Sequence, residues 1–173
     1  MERRLILYIA TSLDGYIAGE KGKIDWLFSD QDYGYKEFYA SVDTVIMGRK
    51  TYDVACSFEE VPYQRKECVV FSKKKTINVA DHVKVITTNI HSFVRQLKNK
   101  KGKNIWLVGG SEIVHELIEL IDDYLIFVHP IILGKGIPLF KKNNKRIQLK
   151  CVGTKSFSSG LVELRYSRNS EAF

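Results

Sequence analysis

The segment Asn104-Ile105-Trp106-Leu107-Val108-Gly109-Gly110-Ser111-Glu112-Ile113 narrows the possible folds more than any other. An apolar run stops at two glycines, and a helical pattern starts at once. Paired glycines let a backbone approach a ligand where a Cβ would clash. Amide groups at the following helix start form a ready anion site. The segment therefore suggests a phosphate cradle, and phosphate suggests a nucleotide. The competing reading is a tight turn between a strand and a helix, and the other strand ends decide between the two.

The rest of the chain repeats the same alternation. Leu5 to Ala10 reads as a buried strand, and Asp25 to Asp32 as a loop or helix start. Lys36 to Val42 reads as a short helix, with Phe38 and Val42 four apart on one face. Strands follow over Thr44–Met47, Cys68–Phe71 and Val83–Thr87. Ile90 to Lys98 carries Phe93, Val94 and Leu97 at helical spacing. Ile105 to Val108 is a strand. Glu112 to Ile121 sets Ile113, Val114, Leu117, Ile118 and Ile121 on one stripe of a core-facing helix. Tyr124 to Ile132 reads as a long strand. Ile147–Phe157 and Leu161–Ser167 read as an antiparallel hairpin across Ser158-Ser159-Gly160. The pattern predicts an α/β sheet with an antiparallel edge. In such sheets ligands bind beyond the carboxyl ends of the strands.

Bulk properties remove several function classes. The chain has 173 residues, 45% of them apolar and 27% charged, which fits one soluble domain over 1–173. No apolar run reaches the ~18 residues of a membrane span. The apolar stretch after Arg3-Arg4 breaks at Thr11-Ser12 and Asp14-Gly15, too soon for a signal-peptide core. Cys56, Cys68 and Cys151 are scattered and fit reduced thiols in a cytoplasm. His82, His91, His115 and His129 are isolated, so no metal is expected. The net charge is +7, with lysines grouped at Lys73-Lys74-Lys75, at Lys98 to Lys103, and at Lys141-Lys142 with Lys145-Arg146. No nucleic-acid motif accompanies them, so nucleic acid is not expected as a partner. Solvated loops explain the last two groups, and attraction of a polyanionic small molecule is the alternative use of such charge.

Two further strand ends share the chemistry of the first. Thr44-Val45-Ile46-Met47 ends in Gly48-Arg49-Lys50-Thr51-Tyr52. Glycine allows close approach, Arg49 and Lys50 bring positive charge, and Thr51 brings a hydroxyl near a helix start. Val69-Val70-Phe71 ends in Ser72-Lys73-Lys74-Lys75, where a hydroxyl and ammonium groups suit a terminal phosphate. A phosphorylated dinucleotide has three phosphates for three such ends. Basic residues near a ribose 2′-phosphate separate NADP from NAD.

Met47-Gly48-Arg49-Lys50-Thr51-Tyr52, Val70-Phe71-Ser72 and Val108-Gly109-Gly110-Ser111 resemble the NADPH-binding motifs of the dihydrofolate reductase-like fold. Ser12-Leu13-Asp14-Gly15-Tyr16-Ile17-Ala18 resembles that superfamily's first strand and mobile active-site loop. Ile131-Ile132-Leu133-Gly134-Lys135-Gly136-Ile137-Pro138-Leu139-Phe140 resembles the C-terminal reductase domain of the bifunctional riboflavin-biosynthesis deaminase-reductase, in particular its stand-alone bacterial relatives, which have no deaminase attached. The resemblance implies a three-layer α/β/α sandwich with a mixed, mostly parallel central sheet and an antiparallel C-terminal hairpin. It implies NADPH as cofactor, a small heterocyclic substrate and a homodimer. Ala10 and Ile17 would flank the nicotinamide. Gly48, Arg49, Lys50 and Thr51 would hold phosphates, and Ser72 and Lys73 would sit by the adenosine 2′-phosphate. Gly109, Gly110, Ser111, Glu112 and Ile113 would wrap the pyrophosphate. For Ile17 and Ile113, plain packing is the other reading.

The substrate half of the pattern departs from the relatives. Asp32 falls about where dihydrofolate reductases carry a pterin-binding, proton-supplying carboxylate, and is the candidate catalytic residue. Helix capping is its alternative role. No arginine matches the one that grips the glutamate tail of folate. Tyr16 stands where the riboflavin enzymes commonly carry a basic residue. Arg65, Lys135 and Lys21 are the candidates for a second anion site. The family's reaction reduces 5-amino-6-(5-phosphoribosylamino)uracil. The alternatives are reduction of dihydrofolate or another heterocycle, and a catalytically silent NADPH-binding module.

Overall fold

The central strands bury both of their faces, and this dictates layers on both sides. The structure, a computed structural model, describes residues 3–58, 62–74, 76–142 and 146–168. Lys75 and Lys145 of the basic runs lie outside these. In β1 (Leu5–Ser12), Leu5 and Leu7 pack with Val94, Leu97, Val114 and Leu117, whereas Ile6 packs with Phe38, Tyr52 and Trp106. The first group brings α3 (Ile90–Lys98) and α4 (Ser111–Leu117) onto one face. The second brings α1 (Tyr35–Ser41) and α2 (Arg49–Cys56) onto the other. The result is the three-layer α/β/α sandwich of the dihydrofolate reductase-like fold.

The sheet also contains β3 (Val42–Gly48), β4 (Glu67–Phe71), β5 (Val83–Ile86), β6 (Asn104–Gly109) and β7 (Asp123–His129). β9 (Leu149–Ser156) and β10 (Val162–Arg168) complete it. The strand order is β5-β4-β3-β6-β1-β7-β10-β9. The first six are joined by parallel pairings, and β10 runs antiparallel to both β7 and β9. β2 (Tyr16–Ala18) and β8 (Ile137–Pro138) form a separate antiparallel pair.

The middle of the sheet opens at its carboxyl end. β6 pairs with β1 only from Leu5↔Ile105 to Leu7↔Leu107. Beyond that, β6 follows β3 to Met47↔Gly109, while β1 follows β7 to Ser12↔His129. A gap forms where the two part. The Tyr8 carbonyl lies at the fork and accepts from Trp106 Nε1 at 3.0 Å. The same indole meets the rings of Tyr8, Tyr35, Phe38, Tyr39 and Tyr63 edge-on, an arrangement that aromatic quadrupoles favour.

Several predicted boundaries move, for local reasons. The strand expected over Tyr124–Ile132 ends at His129. Pro130 has no N–H to continue the ladder, and the Ile131 N–H turns back to the His129 carbonyl at 2.8 Å. The helix expected over Glu112–Ile121 stops at Leu117. The Ile118 and Leu120 N–H groups then bond three residues back, at 3.5 and 2.8 Å, the tightened turn of a helix end. Ile121 is still fully buried, so the apolar stripe outlives the helix. The first helix begins at Tyr35, one residue early, and Val42 already belongs to β3.

Trp106→Phe keeps most of the ring packing but removes the indole donor, leaving the Tyr8 carbonyl without it. A destabilisation of about 1–3 kcal/mol is expected in a denaturant melt. An unchanged midpoint would show that the fork does not depend on this bond.

Candidate active site

Space around the glycines brings six predicted residues to the mouth of the gap. A Cβ added to Gly110 would meet Thr51 Oγ1 at 3.2 Å and Ile17 Cδ1 at 3.9 Å. One added to Gly48 would meet Ile113 Cγ1 at 3.0 Å, with the Gly109 O and Gly110 N atoms at 3.9 Å. Gly109 has φ +133, a value side-chain residues rarely adopt, and its Cβ position lies 3.4 Å from Ile9 Cδ1. The Gly109–Gly110 peptide is cis. Ala10 follows Ile9 on β1, across the gap from Gly109. Gly48, Thr51, Gly109, Gly110, Ile113 and Ile17 thus share one lining, shaped as a cradle that a Cβ would fill.

The other predicted residues surround this centre. Ser111 is 4% exposed, and its Oγ has no hydrogen-bond partner among the described residues. A buried hydroxyl left unpaired is costly, so a ligand acceptor would relieve it. Glu112 is exposed and its charge is answered by Lys141 Nζ at 3.5 Å. Arg49 turns along α2 to Asp53, with Nη2 and Oδ2 2.7 Å apart, and Lys50 is exposed beside it. Both members of that ion pair are half-exposed, so the pair adds little stability and the guanidinium is easily redirected. Register places Phe71 beside Gly48, so Ser72 and Lys73 follow one strand away. The Ser72 hydroxyl accepts from the Lys74 N–H at 3.0 Å, a side-chain turn that leaves Lys73 exposed.

Ile17 is held in place by a tie that the motif alone does not reveal. The Asp14 carboxylate accepts from Ser12 Oγ at 2.6 Å, Gly134 N at 2.8 Å and Leu133 N at 3.1 Å. These bonds, the Ser12 hydroxyl first, hold the Asp14 carboxyl below the usual carboxylate range. The Leu139 N–H adds a bond to the Gly15 carbonyl at 2.9 Å. At Gly136 (φ +155) a Cβ would lie 2.1 Å from the Ala18 carbonyl oxygen, so only glycine lets β8 close onto β2. The first loop is therefore fastened to the 131–139 segment, and β2 carries Ile17 to the cradle.

Asp32 is exposed and caps the helix, accepting from the Lys36 N–H at 3.1 Å. The N-cap position itself is Gly34, and the Asp32 charge is also felt at the Tyr8 hydroxyl. The Tyr8 phenol is pushed up by burial first, with Glu163, Tyr35 and Asp32 adding to it. Of the candidate anion groups, Lys21 and Lys135 line one cleft of about 610 Å3 with Tyr16. Arg65 instead precedes β4, at the amino end of the sheet and away from the gap. Among the described residues no three His, Cys, Asp or Glu side chains gather as a metal site, and no helix is long and apolar enough to cross a membrane.

The fold also uses His129, which the sequence reading set aside. It is 3% exposed at the end of β7. The Phe28 N–H donates to its Nε2 at 3.2 Å, which leaves Nδ1–H to donate to the Phe127 carbonyl at 3.2 Å. These partners assign the neutral tautomer, and burial holds the pKa below its ordinary 6.5. The neutral ring ties the Trp26–Phe28 loop to the sheet, with the Trp26 ring edge-on at 5.2 Å. The unfolded chain takes up a proton near 6.5 while the folded one resists. The stabilisation is therefore complete above that pH and erodes as pH falls through the lower folded value. Unfolding free energy should fall as pH drops below about 6.5, the ordinary imidazole value, and less so in His129→Gln. Equal slopes in the two proteins would contradict the assignment.

With this geometry in hand, similarity to known proteins becomes specific. The model of the RibD C-terminal domain matches residues 3–163. The uncharacterized protein YwjB of Bacillus subtilis (strain 168) is 44% identical over 174 residues, spanning 97% of this chain and 99% of YwjB. A candidate riboflavin biosynthesis protein from Shewanella sp. PV-4 superposes with a TM-score of 0.84 at 30% identity, over 98% of this chain and 99% of its own. Dihydrofolate reductase from Enterococcus faecalis, solved with NADP(H) and RAB-propyl, gives a TM-score of 0.74 at 19% identity, over 98% and 100%. At that identity the likeness is one of fold. The chain belongs to the RibD C-terminal domain family.

Proposed function

We propose that this protein is an NADPH-dependent reductase of a pyrimidine- or pteridine-type heterocycle, similar to 5-amino-6-(5-phosphoribosylamino)uracil reductase of riboflavin biosynthesis. One observation carries the reading: the cradle in which Gly110 faces Thr51 Oγ1 and Ile17 Cδ1, with the unpaired Ser111 hydroxyl beside it. The residues present fit a dinucleotide. Gly109, Gly110, Ser111, Glu112 and Ile113 would hold the pyrophosphate, with Gly48, Arg49, Lys50 and Thr51 completing the phosphate contacts. Ser72 and Lys73 would take the 2′-phosphate, and Ala10 and Ile17 would flank the nicotinamide. The NADP(H) bound by the Enterococcus faecalis fold neighbour supports the choice of cofactor.

Bound NADPH supplies a hydride from its nicotinamide to a C=N or ring-opened carbonyl carbon. The contribution of this chain is to position the two partners and exclude water. Ile17, fastened through Asp14, covers the gap from the loop side. The proton for the acceptor nitrogen would come from water or from Asp32, which stands on the α1 side. A homodimer in a cytoplasm is the assembly and setting that go with this reading.

NADPH-oxidation assays with 5-amino-6-(5-phosphoribosylamino)uracil and dihydrofolate test the function. Turnover of the uracil is expected. Tight NADPH binding without turnover on either substrate, or on other reducible heterocycles, would leave a silent binding module instead. Lys73→Glu should weaken NADPH at least about tenfold more than NADH, as expected for loss of a charge-assisted contact. Equal losses in a fluorescence titration would remove Lys73 from the 2′-phosphate site.

A further inference from the structure

The loop between β2 and α1 is fastened to the carboxyl end of the sheet by one buried ring. His129 ends β7 in register with Ser12 at the end of β1. Its Nε2 can only accept, because the group that faces it is the Phe28 backbone N–H at 3.2 Å. Nδ1 then carries the proton and donates to the Phe127 carbonyl, also at 3.2 Å. A second proton on the ring would set one N–H against another. The bond to Phe28 therefore exists only while His129 is neutral. The residue is 3% exposed, so water reaches Nε2 only if the loop moves away.

The stretch held by this bond carries an opposing cost. The Trp26 indole stands edge-on to His129, and its Nε1 is buried with no hydrogen-bond partner among the described residues. An unpaired buried donor disfavours the closed arrangement and regains a water partner on opening. The Phe28 ring lies 4.9 Å from the imidazole yet stays 37% exposed, so apolar burial holds it only in part. The far end of the loop is fastened differently. Tyr33 Oη lies 2.7 Å from Asp30 Oδ1 and 2.8 Å from Ser159 Oγ, and its ring packs on Phe157. The Tyr33 bond holds the Asp30 carboxyl below the usual carboxylate range, so that end keeps its charge where an imidazole titrates.

No charge compensates a proton on His129. Burial is the first cause of its lowered pKa, and only the Phe127 and Thr11 backbone opposes it. The charged groups of the surrounding elements are engaged elsewhere or exposed. Asp14, after β1, accepts from Ser12, Leu133 and Gly134. Glu163 on β10 is in register with Phe127, and through it with Ala10; it is paired with Arg165 and stands opposite Lys155 of β9. Asp32 accepts from the Lys36 N–H. Lys23 and Asp25 on the loop and Lys135 on the 131–139 segment are exposed.

We propose that His129 is a pH-sensitive latch: the neutral ring holds the Trp26–Phe28 stretch over the ends of β1 and β7, and the protonated ring releases that stretch while the Tyr33 end stays fastened. Release uncovers Ser12 and His129, the row of the sheet next to Ala10 and Phe127 on the same face. That this regulates entry beside the nicotinamide rests on the reductase reading above. The latch itself does not.

Amide exchange followed by NMR from about pH 7.5 to about pH 5.5, corrected for the intrinsic rate at each pH, tests it in the natural protein. Protection of the Phe28 N–H should fall by up to about tenfold per pH unit below the imidazole value, as for uptake of one proton. The amides of Leu7 and Ile46 should stay protected over the same range. His129→Gln, whose side-chain carbonyl accepts without titrating, should keep Phe28 protected at every pH. Nitrogen shifts of the natural ring should show the Nδ1–H tautomer at neutral pH. The latch is overturned by Phe28 protection that ignores pH, that falls equally in His129→Gln, or that falls only together with the core amides. A ring protonated at Nε2 would also overturn it. If His129→Gln fails to fold, the ring shifts and the comparison of Phe28 with the core amides decide. Absence of reductase turnover would sink the reductase reading and leave these exchange rates unchanged.

Discussion

The parting of β1 from β6 is the constraint on which the molecule depends. A parallel sheet is held by evenly spaced bonds between neighbours, and two central strands cannot separate without leaving polar groups behind. Here the pairing stops after three residues, and a side-chain donor, Trp106 Nε1, takes over at the Tyr8 carbonyl. The gap is therefore built into the sheet and needs no motion to form. Of the residues proposed for the cofactor, Gly109 and Gly110 lie on the β6 side of the gap, Ala10 on the β1 side and the Gly48–Thr51 turn beyond β3, while Ser72 and Lys73 follow β4, one strand farther out.

The gap also divides the labour between the two faces. The α3 and α4 face is packed with aliphatic side chains, and Gly48, Ile113 and Ile9 meet at its upper edge. The α1 face holds a stack of aromatic rings around Tyr8, Phe38 and Trp106, with Glu163 and Arg165 at its border. Polar chemistry for a phosphate sits at the strand ends, where backbone amides and lysines are exposed. The sheet surface on the α1 face carries aromatic rings and the Arg165 guanidinium paired with Glu163.

How much of this the sequence revealed depended on range. Local signals carried through: the glycines that end β3 and β6, the hydroxyl after β4, and the 3.6-residue stripe of α3, whose predicted limits match the helix. Signals that need a distant partner did not. Nothing near Trp106 announces that its indole serves a carbonyl 98 residues away. Glu163 reads as an ordinary charged residue of a hairpin strand until the register aligns it with Ala10. The three-residue β2 and two-residue β8 are too short to show a period. They exist because Asp14 and Gly136 bring their segments together. His129 shows no spacing pattern because its hydrogen-bond partners are backbone groups, which carry no sequence signature.

The central claim is that a phosphorylated dinucleotide occupies the gap between β1 and β6. A crystal structure of the protein grown with NADP+ tests it most directly. The account predicts a nicotinamide between Ala10 and Gly109, a pyrophosphate against the amides of Gly110 to Ile113, and a 2′-phosphate at Ser72 and Lys73. A dinucleotide found elsewhere, such as the cleft lined by Tyr16, Lys21 and Lys135, would contradict it.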